Sequence, residues 1–242
     1  LTAAVVLWMA VWWMTEAAPL AVTALLPLVL FPLLGVRGVG DLAPTYSNEI
    51  IFLFLGGFVL ALAVERSGLH RRLALAVLDT VGDSPRRLVW GFLLATAALS
   101  MWLSNTATTL MLLPIAAGVA SRLDSEKAPA RLMLAVAYGA SIGGIGTLVG
   151  TPPNLVLAGM APSLVPGLEP LSFGAWMAFG VPFVLLFLPA VGLLLGRGLR
   201  GGATRDRGLA TERAALGEVT SFERRVAVLF AVTAVAWITR TG

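Results

Sequence analysis

The chain has 242 residues, 58% of them hydrophobic and only 12% charged, with no cysteine and a formal net charge of +4. A soluble domain carries about 25% charged residues, so half that share, with a mean hydropathy of +0.89, argues for an all-α protein of the membrane. The basic excess does not point to nucleic acid, because the 17 Lys and Arg fall at the ends of apolar segments with no interleaved aromatic surface; the lack of cysteine excludes disulfides and thiolate metal sites.

In chain order, residues 1–14 read as the end of a span closing on Trp12 and Trp13, which suit a membrane interface. No charged stretch precedes this apolar run, so it is not a signal peptide, and an earlier helix is expected upstream. Residues 15–19 turn, and Pro19 is placed to open the next helix. Residues 20–36 span again with Pro27 and Pro32 as kinks, 37–49 read as a loop carrying Asp41, and 50–64 span back. Gly56 and Gly57 in that span allow close helix contact. Over 68–81, Leu69, Leu73 and Val77 against Arg71, Arg72 and Asp79 predict an amphipathic helix in the interface, where His70 has a structural role.

Residues 88–120 hold no charged side chain, yet Ser100, Ser104, Asn105, Thr106, Thr108 and Thr109 cluster at the midpoint. One straight helix of that length would reach roughly 50 Å, well beyond the ~30 Å hydrocarbon core. Folded at the polar midpoint, the run gives two arms of about 16 residues, each roughly 24 Å long. Arg86 and Arg87 precede it and Arg122, Lys127 and Arg131 follow, and basic flanks stay on the cytoplasmic face. The expectation is a re-entrant helical hairpin over 88–121 with its tip deep in the membrane. With all other spans crossing once, segments 66–87, 122–131 and 197–225 fall inside and hold 15 of the 17 basic residues. A single crossing at 88–120 would split the first two segments between opposite faces.

The span 132–159 is interrupted too. Its stretch from Ala140 to Asn154 contains Gly143, Gly144, Gly146 and Gly150, then Pro152 and Pro153, which a regular helix cannot sustain. Glycines alone would fit a packing groove, as in Gly139-x-x-x-Gly143. Irregular backbone at this depth is tolerated only against protein, water or an ion. A broken helix is therefore expected, followed by a turn rich in Pro and Gly, a span at 173–196, a polar stretch, and the start of another span after residue 225.

Helix ends supply the chemistry. An arm closing near Leu103 and a half-helix closing near Val149 present carbonyls with partial negative charge, a neutral oxygen cage for a small hard cation. No carboxylate lies in 88–120 or 132–168, which favours Na⁺ over H⁺. Arms beginning near Thr106 and Asn154 present free N–H groups, an anion site. Broken helices that hold a cation and an anion at mid-depth are how secondary transporters build their sites. A channel would call for a lined pore and gives no reason for the Pro-Pro-Asn break. No Ser/His pair, Asp pair or metal-ligand set lies in the spans, so an enzyme is not expected. Gly144-x-Gly146 lacks the Lys and the third Gly of nucleotide loops.

Ser104-Asn105-Thr106 at a hairpin tip, with Ser100 one turn earlier and Gly150-Thr151-Pro152-Pro153-Asn154 downstream, resembles the divalent-anion/sodium symporter family of dicarboxylate, citrate and sulfate carriers. The runs 12–19, 51–58 and 68–72 are similar to early helices and an interfacial segment of that family. The resemblance implies that Ser100, Ser104, Asn105 and the backbone of Gly150 bind Na⁺. It implies that Asn105, Thr106, Thr151 and Pro152 bind one end of a divalent organic anion such as succinate or citrate, or alternatively sulfate. Thr151 stands where many dicarboxylate members have Ser. The family works as homodimers in the cell membrane, with an elevator-like motion and two inverted repeats.

On that basis 1–82 are scaffold-type helices, including the interfacial helix 68–81. Residues 83–200 are half of a transport domain, formed by the hairpin 88–121, the broken helix 132–159 and the helix 173–196. A cytoplasmic linker follows at 201–222, and 223–242 begin a second repeat. Only the first Ser-Asn-Thr is present, so the chain by itself is not expected to transport.

Overall fold

The computed structural model describes residues 1–82, 84–123, 125–169, 171–199 and 214–240. Eleven helices are found among the described residues and no strand. The chain divides into two compact units, Leu1–Phe52 and Leu53–Gly242.

In the first unit, α1 (Thr2–Thr15) packs on α2 (Leu20–Leu33). Glu16 ends α1 in the left-handed region, with φ of 52°. Pro19 precedes α2, and Pro27 and Pro32 lie inside it as read from the sequence. The stretch expected as a loop at 37–49 instead contains α3 (Val39–Tyr46). Gly38, Gly40 and Pro44 hide the helix from a composition reading. Asp41 in its first turn faces the positive helix end, Leu42 is buried, and the Tyr46 hydroxyl donates to Ala24 O at 2.9 Å.

α4 (Glu49–Ser67) runs from the end of the first unit into the second. Gly68 turns the chain with φ of 78°, and buried His70 donates from Nδ1 to Val64 O at 2.9 Å, closing the corner. α5 (Leu69–Val81) forms where the amphipathic pattern placed it. Its apolar stripe is not left to lipid alone: Leu78 meets Gly91 of the following helix, and Leu69 lies beside Leu99 and Leu103. α5 therefore runs antiparallel along the first arm of the hairpin.

The 88–120 run is two helices, not one rod. α6 (Pro85–Ser100) and α7 (Asn105–Ala120) have 16 residues each. Ser84 caps α6 by accepting from Arg87 N, with Pro85 at the first position. α8 (Ala128–Gly144) packs against both arms, and α6 is its main neighbour. Glycine permits that approach: a Cβ on Gly139 would sit 2.7 Å from Leu93 O, and one on Gly143 only 2.2 Å from Ala97 O. The packing groove that glycines alone would fit and the expected break thus coexist on one helix. After the break come α9 (Pro152–Leu164), α10 (Phe173–Gly196) and α11 (Ser221–Thr239). α10 and the 39–67 segment are each long and apolar enough to cross a membrane. α10 packs on α6 and α8, and the Trp90 ring fills the space a side chain at Gly192 would take. Residues 201–213 of the expected linker lie outside the described set.

One ion pair fastens α11 to α5. The Arg72 guanidinium donates to Glu223 at 3.0 Å and to the carbonyls of Leu216, Gly217 and Glu218. Glu223 also accepts from Thr220 N at 2.7 Å, completing a capping box. The Thr220 amide first, and Arg72 second, hold the Glu223 carboxyl below its ordinary range.

Two outcomes are expected. Gly143→Ala forces a carbon into Ala97 and costs about 1–3 kcal/mol or more, read as a lower thermal midpoint in detergent, whereas Gly118→Ala, with nothing within 4 Å, is neutral or slightly stabilising. Because Glu223 titrates below its unfolded value, its contribution is fully present above a pH of about 4.5 and fades as pH falls through the depressed value. The midpoint gap between wild type and Glu223→Gln should therefore be flat near neutrality and narrow in acid.

Candidate functional site

Both interruptions end close together. α6 stops at Ser100, and the reversal runs through Met101 to Ser104, with Leu103 N still donating to Leu99 O at 2.9 Å. Ser104 is extended, and its hydroxyl accepts from Ala107 N at 3.2 Å, capping α7. α8 stops at Gly144, with Ile145 N and Gly146 N closing tight turns onto Ile142 O and Gly143 O. The carbonyl ends thus lie at Ser100 and Gly144 rather than near Leu103 and Val149. In each case a few tightened-turn residues follow the last regular helical turn. α7 begins at Asn105 and α9 at Pro152, slightly earlier than the expected Thr106 and Asn154. Pro152 and Pro153 carry no N–H and Asn154 N donates to Thr151 O at 3.1 Å, so the free N–H groups expected at the start of α9 are not there.

Oxygens crowd this junction. Fully buried Ser100 places its hydroxyl 2.7 Å from Asn105 Oδ1 and 2.8 Å from Ala140 O. A hydroxyl has one proton, so only one of these two acceptors can be served at a time. Asn105 lies directly against Gly144, where a Cβ would come within 2.3 Å of its Oδ1. At Gly150, a Cβ would meet Gly144 O at 2.5 Å and Ser100 O at 2.9 Å, so this backbone rests on both helix ends. Such a surplus of neutral acceptors around glycine backbone is what a bound hard cation neutralises. The structure brings Ser100, Asn105 and Gly150 together, with Ser104 as the adjoining cap. Ser104 keeps a second lone pair beyond its cap bond.

Of the expected anion residues, Asn105 belongs to that knot, and the other three are not joined to it by a side-chain hydrogen bond. Thr106 is exposed in the first turn of α7, Thr151 is the half-buried residue before α9, and Pro152 is its exposed first residue. Neither threonine hydroxyl has a hydrogen-bond partner among the described residues, and Thr151 does not cap α9. A cavity of about 310 Å³ opens beside Ser104 and Ala107, but Glu65 shares it with His70, Phe58 and Met111. A carboxylate in that lining makes it poorly suited to a dianion.

Several residues hold the junction in ways the sequence did not announce: Asn154 was read only as part of the Pro-Pro-Asn break and the helix start after it, and Thr147, Trp176 and Trp102 were given no role. Asn154 is buried, and its Nδ2 donates to Gly144 O at 2.8 Å and Thr147 O at 2.7 Å. Thr147 donates to Met101 O and accepts from Gly150 N at 3.2 Å. Trp176 on α10 donates from Nε1 to Ile145 O at 2.9 Å, and Gly180 lies against the same carbonyl. Trp102 at the hairpin tip stacks on Phe173 at 6.1 Å and meets Phe230 edge-on at 5.2 Å. The legible signal was a hydroxyl and an amide flanking a glycine-rich break; the contribution of α10 had no local signature.

Two discontinuous helices meeting end to end, among apolar helices of which two segments are long enough to traverse lipid, are the arrangement from which secondary transporters build their sites. Residues 10–241 match the model of the citrate transporter family. The chain is 39% identical to the "Sodium-dependent dicarboxylate transporter SdcS" of Staphylococcus saprophyticus and 38% identical to that of Staphylococcus aureus strain USA300, over 98% of this chain and 48% of each relative. The chain belongs to this transporter family, which is not one of enzymes, and it is a multi-pass protein of the plasma membrane. It spans about half the length of the curated relatives it matches.

The Asn154 amide is expected to matter for folding. Asn154→Ala leaves two buried carbonyls short of a donor, and the thermal midpoint of the purified protein should fall by the equivalent of about 2–4 kcal/mol. Asn154→Asp, which sets a carboxylate against the same carbonyls, should fall further.

Proposed function

We propose that the complete protein is a sodium-coupled secondary transporter of a di- or tricarboxylate such as succinate or citrate, and that this chain forms the first of two inverted repeats. The observation that carries this reading is the oxygen knot of Ser100, Asn105, Ala140 and Gly144, built from two helix ends without a charged side chain. Na⁺ would be held by Ser100, Ser104, Asn105 and the Gly150 backbone. The anion would be taken by Asn105, Thr106, Thr151 and Pro152 at the N-terminal ends of α7 and α9, whose positive dipole ends favour negative charge, with free N–H groups at α7. The relatives, named as sodium-dependent dicarboxylate transporters, support the same ion and substrate class.

In this reading 1–82 belong to a scaffold and 83–200 to a moving transport domain, in a homodimer that works as an elevator. Segments 66–87, 122–131 and 197–225 face the cytoplasm. Described basic residues there cap helix ends: Arg131 Nη1 donates to Leu195 O at 3.0 Å and to Arg197 O, closing α10.

The test is uptake of labelled succinate by the complete protein in proteoliposomes, with and without a Na⁺ gradient, and with citrate and sulfate as competitors. Saturable, Na⁺-dependent uptake inhibited by citrate is expected, and Asn105→Ala should abolish it with near-normal expression. Gradient-independent flux, or full uptake by Asn105→Ala, would refute the assignment.

A further inference from the structure

One buried hydroxyl, Oγ1 of the wholly inaccessible Thr108, has no hydrogen-bond partner among the described residues. The usual solution for a helical threonine is to donate to the carbonyl four residues back. Thr96 on α6, equally buried, does this, donating to Phe92 O at 2.6 Å. Thr108 does not, although its own amide donates to Ser104 O at 3.0 Å, so the carbonyl is in place. The two threonines differ in what lies near them. Thr96 is a full turn inside α6, whereas Thr108 follows Ser104 by four residues and Asn105 by three, on the same face of α7. Side chains on a helix lean toward its N-terminus, so Thr108 leans toward the turn that carries Asn105. Asn105 in turn points into the Ser100 knot. The hydroxyl is therefore sequestered beside a cluster that already has more acceptors than protons.

We propose that Thr108 Oγ1 is a further oxygen ligand of the cation site, binding Na⁺ together with Ser100, Asn105 and the helix-end carbonyls. This rests on the sodium-coupled reading above. A neutral hydroxyl suits the role because it adds an oxygen to the shell without introducing a buried charge.

The isostere Thr108→Val removes the oxygen and keeps the volume, and Thr108→Ser keeps the oxygen. Both are made in the complete protein beside Asn105→Ala. In proteoliposomes, Thr108→Val should raise the half-saturating Na⁺ concentration about 3- to 10-fold. The half-saturating succinate concentration at saturating Na⁺ should stay within about twofold, and Thr108→Ser should remain close to wild type. In detergent, NaCl compared with choline chloride should raise the thermal midpoint of wild type and Thr108→Ser but much less that of Thr108→Val. Without Na⁺, Thr108→Val should be at least as stable as wild type, because it removes an unpartnered polar group. Wild-type Na⁺ dependence in Thr108→Val, or equal impairment of Thr108→Ser, overturns the inference while a dead Asn105→Ala leaves the site reading standing. Unchanged Na⁺ dependence in Asn105→Ala overturns both.

Discussion

The whole arrangement depends on giving hydrogen-bond partners to backbone that leaves the helix inside an apolar environment. In hydrocarbon an unpaired carbonyl costs several kcal/mol, so a broken helix is viable only where its ends are met by something polar. Here the ends are met by each other and by a few side chains. Asn154 serves two carbonyls, Thr147 serves Met101, and Trp176 serves Ile145. What is left over is a small excess of oxygen acceptors around the Ser100 hydroxyl, whose single proton is shared between Asn105 Oδ1 and Ala140 O. The oxygen knot is thus the residue of a structural accounting, not a set of charged groups.

Glycine sets how tightly this can be drawn. Along α8 and the break, Gly139, Gly143, Gly144 and Gly150 each present a bare Cα to backbone or amide oxygen of α6, α7 or the break itself. Any side chain there would push the helix ends apart and open the knot. The same device recurs on α10, where Gly180 lets Ile145 O and Gly146 O approach. Burial and oxygen density are therefore coupled: the close contact that stabilises the hairpin also aims its carbonyls.

Much of this was legible in the sequence because it is periodic or antiperiodic on a local scale. The length of 88–120, its polar midpoint and its basic flanks predicted two 16-residue arms, and the structure has them. Gly-Gly-x-Gly followed by Pro-Pro gave the second break. The eight-residue α3 was hidden by Gly38, Gly40 and Pro44, which weigh against a helix in composition; Gly38 is its N-cap and Pro44 lies inside it. The end positions were misplaced by a few residues because tightened turns continue past the last regular hydrogen bond. Long-range supports left no trace at all. Nothing around Trp176 or Phe173 announces that α10 buttresses both interruptions, since each contact spans tens of residues in the chain.

Asn105 stands where the two kinds of helix end meet. As the first residue of α7 it belongs to an N–H end that favours an anion, while its Oδ1 lies within the carbonyl ends that favour a cation. A cation drawn to that oxygen would fix the amide orientation, with Nδ2 turned away from the knot and free to donate. The same ion would offset the negative partial charge that otherwise opposes a carboxylate nearby. On the sodium-coupled reading, each ligand thus lowers the cost of binding the other through one side chain and two helix dipoles, and thermodynamic linkage makes that effect reciprocal. Coupling of this kind needs no titrating group, which accords with the lack of carboxylates across 88–120 and 132–168.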